Sequence, residues 1–62
     1  MSKDYVIKNI EMIDEQLELN EEFIEEHPYV DVLFVSKMSN MLMDARKAWV
    51  DILLRDYGIY YI

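Results

Sequence analysis

Apolar residues in the first half of the chain recur at Val6, Ile10, Ile13, Leu17 and Ile24, a spacing that keeps them on one side of a helix. Tyr5, Met12, Leu19 and Phe23 run beside them as a second apolar line. The opposite side carries Glu11, Glu15, Glu18, Glu22 and Glu25, with Asp14, Glu21 and Glu26 flanking that stripe. The second half is more apolar still. Phe34, Val35, Met38, Met41, Leu42, Ala45, Ala48, Trp49, Ile52 and Leu53 make a wide face, and Val32, Met43, Val50, Leu54 and Tyr57 a narrower one. Only Lys37, Asp44, Lys47, Asp51 and Arg55 form a clear polar strip.

Strong breakers are sparse: Pro28 and Gly58 alone interrupt the pattern. They predict helices over about 3–26 and 29–57. Ser2 offers an N-cap, and Asp4 suits the positive end of the first helix dipole. The first helix should stop near Glu26, because a residue before proline, here His27, is driven out of the α region. The second starts either with Pro28 as its first helical residue or from an Asp31 cap. Gly58 can adopt the left-handed conformation that closes a helix. The expected fold is all-α: one domain over 1–62, folded as an antiparallel two-helix hairpin with a short apolar tail at 59–62 docked on it.

A helix that is apolar on most sides is buried on most sides, and a lone hairpin cannot do that for its second helix. A chain of 62 residues buries only about 60% of its unfolded surface. It has no cysteine, and His27 is the sole histidine, so neither a disulfide nor a thiolate or multi-histidine metal site makes up the difference. Burial against sister chains is therefore expected: a homodimeric four-helix bundle or a larger helical oligomer. The expected contact residues are Phe34, Met38, Met41, Leu42, Ala45, Trp49, Ile52 and Leu53. Trp49 is the strongest single anchor, since large aromatics dominate interface energetics.

Charge is split along the chain. Residues 1–31 hold ten Asp and Glu against Lys3 and Lys8, a balance of -8, whereas residues 32–62 hold three aspartates against four bases, a balance of +1. Their sum is the formal -7. Such a chain repels phosphate and anionic lipid, and the basic residues of the second half are mixed with aspartates instead of forming a track. Direct nucleic-acid binding is not expected. No basic leader followed by an apolar run is visible, and no run of about 18 apolar residues exists. These features predict a soluble, cytoplasmic protein with no membrane association.

Several segments invite catalytic readings. Glu21-Glu22-Phe23-Ile24-Glu25-Glu26 resembles the first half of the glutamate pattern of all-α nucleotide pyrophosphohydrolases. The second half needs two inward acids three apart on the next helix, but Asp44 and Asp51 are seven apart on the polar strip. Ile24 stands three before His27, which excludes a Glu-x-x-His ligand pair, and Ser36 and Ser39 have no histidine within helical reach. The segment 32–40 is similar in position to the signature region of small two-helix sporulation phosphatases. Only Ser36 matches the signature itself, and Ser39 and Asn40 replace its leucine and functional acid, so no family assignment rests on it. The sequence thus predicts no enzyme, cofactor or metal.

Two functional expectations remain. The first is a non-enzymatic, protein-binding regulator or inhibitor that works as a homo-oligomeric bundle, with Met38, Met41 and Met43 giving an adaptable surface. The alternative is a phage-type DNA mimic that inhibits a nucleic-acid-binding host protein. It would use Glu11, Glu15, Glu18, Glu22 and Glu25, whose neighbours on a helix stand about 5–6 Å apart, close to the phosphate spacing of one strand.

Overall fold

The computed structural model describes residues 2–61 and consists of two helices packed against each other, α1 (Lys3–Glu26) and α2 (Val32–Tyr57). At about 1.5 Å per residue, the longer helix accounts for most of the 43 Å length of a body only 18 by 15 Å across. Among the described residues no strand is formed, and no helix is long and apolar enough to cross a membrane.

The helix ends follow local chemistry. Ser2 is extended, and its hydroxyl accepts from the Tyr5 N–H at 3.2 Å, with Asp4 in the first turn. α1 stops at Glu26, two residues before Pro28. His27 leaves the helix with its backbone N–H bonded to the Phe23 carbonyl at 2.9 Å, and its Nδ1 donates to the same oxygen at 3.1 Å. The imidazole stacks on the Phe23 ring with centroids 4.4 Å apart. Sequence left the start of α2 open between Pro28 and Asp31, and the structure places it at Val32, three residues later than 29. The Asp31 carboxylate accepts from the Leu33 and Phe34 N–H groups at 3.0 and 3.4 Å. That satisfies two of the first-turn donors which a start at Pro28 would leave to water. Residues 28–30 form the turn instead, closed by the Val30 N–H on the His27 carbonyl.

Gly58 ends α2 with φ of 67°, the left-handed conformation. This reversal lets the Gly58 and Ile59 N–H groups reach back to the Leu54 and Leu53 carbonyls at 2.9 and 3.3 Å. It also sends the tail back over the hairpin. Ile59 and Tyr61 pack against the core and Tyr60 faces solvent, while Ile62 lies outside the described residues.

The core sits at the end away from the turn. Val6, Ile10 and Leu53 are fully buried, surrounded by Ile7, Trp49, Val50, Ile52 and Tyr57. Tyr5 meets Trp49 edge-on at 6.0 Å. The inner α1 line continues toward the turn as half-buried Ile13, Leu17 and Ile24. Tyr5 apart, the second α1 line is left uncovered by α2: Tyr5, Met12, Leu19 and Phe23 all remain exposed.

Candidate interaction surfaces

The hairpin has two broad faces, and they differ in how far they are covered. The first, called here the tail face, is closed by a polar clasp. Arg46 Nε donates to Asp14 at 2.6 Å across the two helices, and its guanidinium lies 5.7 Å from the centre of the Tyr61 ring. The bond to Asp14 holds the guanidinium above its ordinary pKa, partly opposed by desolvation. Beside this clasp an open groove of about 550 Å³ is lined by apolar Leu17, Met43 and Val50 and by charged Asp14, Arg46 and Lys47.

The second, or open, face is apolar and uncovered. Phe34, Met38, Met41, Ala45, Ala48 and Ile52 follow one another at alternating steps of four and three along α2. That is the spacing by which a helix presents knobs to a neighbour. Phe34 is 62% exposed, Met38 45% and Met41 71%. Gln16 of α1 joins Met38, Met41 and Leu42 around a shallow recess, which places the second α1 line on this same face. Between the two faces, a short polar chain crosses the helix pair. Gln16 Nε2 donates to Asn20 Oδ1 at 3.0 Å, and Asn20 Nδ2 donates to Ser39 Oγ at 3.4 Å.

The residues expected at a contact between chains fall into two sets. Phe34, Met38 and Met41 stand exposed on the open face, and Ala45 and Ile52 are half-buried at its base. Leu42 and Trp49 are half-buried, and Leu53 is fully buried inside the hairpin, where it completes the intramolecular core. Ala48 belongs to the exposed line by spacing, as do Tyr5, Met12, Leu19 and Phe23 from α1. The signal for the α1 members was their four-and-three spacing with Asn9 and Gln16, obscured because those two are polar.

Glu11, Glu15, Glu18, Glu22 and Glu25 are all exposed, and neither ion pair found among the described residues involves them. Asp14, expected beside that stripe, turns toward α2 to meet Arg46 instead. Among the described residues, no group of three or more His, Asp or Glu side chains is placed to hold a metal ion. Ser39 accepts from Asn20, and Ser36 lines a surface recess with Asp31, Leu33, Phe34, Lys37 and Asn40. Comparison with family models, curated proteins and solved structures finds no match to this chain.

Proposed function

We propose that this chain is a non-enzymatic regulator or inhibitor that binds another protein while assembled with copies of itself as a helical bundle. The observation that supports this most is the imbalance of burial. Among the described residues Val6, Ile10 and Leu53 are the fully buried side chains, while Phe34, Leu33, Met41 and Tyr29 are between 62% and 89% exposed. Large contiguous apolar surfaces on small soluble folds serve association. The open face supplies the surface for self-association. The groove on the tail face combines Leu17, Met43 and Val50 with Lys47 and with an Arg46 already paired to Asp14, and so suits a partner segment that is chiefly apolar, with an acid to meet Lys47.

Light scattering across concentration tests the first half of this reading, and affinity capture from the native host tests the second. A compact single subunit at micromolar dilution would defeat self-association. Capture that returns only the chain itself would defeat the regulator reading.

The exposed, unpaired glutamate stripe favours a second reading, in which α1 imitates a phosphate backbone and occupies the basic cleft of a nucleic-acid-binding protein. Binding of that kind weakens steeply with salt, and binding through apolar surface does not.

A further inference from the structure

We propose that a second copy of this chain docks on the open face so that each α1 lies against α2 of the other copy. The two copies are related by a two-fold axis running parallel to the helices. This rests on the self-association proposed above and adds its orientation.

The first support is the pair of seams. Besides the α2 line from Phe34 to Ile52, α1 brings Tyr5, Asn9, Met12, Gln16, Leu19 and Phe23 to the same face in the same alternation of four and three. The hairpin's own packing uses the Val6 and Ile10 side of α1 and the Leu53 side of α2; it touches these seams at Ile52 and Tyr5 and leaves Phe34, Met38, Met41, Met12, Leu19 and Phe23 exposed. Knobs-into-holes packing of four helices needs two such seams per hairpin.

The second support is charge. Along the outer rim of this face α1 carries Lys8, Glu15 and Glu22, and α2 carries Lys37, Asp44 and Asp51, each set spaced by seven. The Asp14–Arg46 and Asn20–Ser39 contacts fix which residues of the two helices lie level with each other. A two-fold axis parallel to the helices keeps every residue at its own level, so no register remains to be chosen. Lys37 then meets Glu22 of the partner, Asp51 meets Lys8 of the partner, and Asp44 meets Glu15 of the partner. Symmetry makes that four attractive contacts against two repulsive ones. In the seam, small Ala48 and Ala45 come level with the longer Met12 and Gln16 of the partner.

Placed level with Glu15 and Asp44, an axis perpendicular to the helices gives the same rim count: Lys8 meets Glu22, Lys37 meets Asp51, and Glu15 and Asp44 each face themselves. It does worse in the helices it makes neighbours, because it lays α1 against α1, each with nine acids against Lys3 and Lys8. Exposed pairs are individually weak, so the orientation is decided by the charge of the whole helices. The parallel axis places the acidic helix between two nearly neutral ones.

Dimer dissociation constants at low salt test the arrangement, with circular dichroism to confirm that each variant keeps its helices. Lys37→Glu should weaken the dimer about tenfold. Adding Glu22→Lys should restore it, whereas adding Glu18→Lys, which makes the same change in net charge away from the rim, should not. Rescue by Asp51→Lys in place of Glu22→Lys would overturn the orientation while leaving a dimer, as would a dimer indifferent to Lys37→Glu. An unmodified chain that stays monomeric at every concentration would instead overturn the self-association on which the inference rests. As a measurement independent of charge, Glu22→Cys and Lys37→Cys chains mixed under mild oxidation should form the mixed 22–37 disulfide. Predominance of 22–22 and 37–37 links would overturn the proposal.

Discussion

Arg46 and Asp14 meet across 2.6 Å and tie the middle of α2 to the middle of α1. Their side chains are 31% and 42% exposed, so solvent screens the attraction. The bond still matters in a hairpin whose core is confined to one end, because it fixes the level of one helix against the other and gives Tyr61 a cation to pack on. A double-mutant cycle with Asp14→Asn and Arg46→Met should return a coupling of about 0.5–1 kcal/mol, read by urea unfolding. The folded-state pKa of Arg46 is raised, so its contribution is complete below the unfolded-state value and is lost only as pH rises through the higher folded one. Arginine stays protonated throughout the working range, and the Arg46 contribution should therefore stay constant from neutral pH to about pH 10.

Gly58 marks the opposite end of the energy scale, where backbone alone decides. Its φ of 67° is strained for any residue with a Cβ, yet a Cβ built there would touch nothing within 4 Å. Gly58→Ala should therefore cost about 1 kcal/mol through conformation and nothing through crowding. Gly58→Asn should cost less, because asparagine tolerates the left-handed region. Thermal melts of the three proteins give the order directly.

Leu53 and Met41 lie on one helix and should respond in opposite ways. Leu53 is fully buried among Val6, Ile10 and the tail, so Leu53→Ala should cost about 2–5 kcal/mol and leave the hairpin largely unfolded by circular dichroism. Met41 is 71% exposed and lies outside the core cluster. Met41→Glu should leave helix content unchanged while abolishing the self-association seen by light scattering. Loss of helix in that variant would show that the hairpin does not hold its fold without its copies.

The helices and their ends were legible in the sequence wherever a single residue type decides. Gly58 could close α2, and Pro28 forced α1 to stop. The start of α2 was less legible, because Pro28 and Asp31 are both good starts and only the geometry of the turn shows which one donates its side chain. Of the two apolar lines on α1, sequence showed that both exist but not which one α2 would take. Periodicity assigns residues to a face, and only packing shows what covers it. The Asp14–Arg46 clasp was hidden for a related reason. A charged residue at the border between an acidic stripe and an apolar line points either way, and a base on the next helix, reached only after the chain reverses, settles the direction.

The acidic stripe separates the two functional readings most cleanly. Glu15, Glu18 and Glu22 are exposed and outside both ion pairs found among the described residues, so replacing all three with glutamine removes charge without removing a contact of the fold. It also relieves like-charge repulsion at the four-residue spacing of Glu18 and Glu22, by a few tenths of a kcal/mol. In the dimer proposed above, the lost Glu22–Lys37 contacts are matched by the relieved Glu15–Asp44 repulsion, so the triple variant should melt close to the temperature of the unmodified chain. If the partner is gripped through the tail-face groove, its affinity should change by less than about threefold, and raising salt from about 0.05 to 0.2 M should have a similarly small effect. If the stripe imitates a phosphate backbone, both changes should weaken binding by at least an order of magnitude, as they do when several charges are matched at once. Measuring partner affinity for both proteins at the two salt concentrations decides between a groove that recognises shape and a helix that recognises charge.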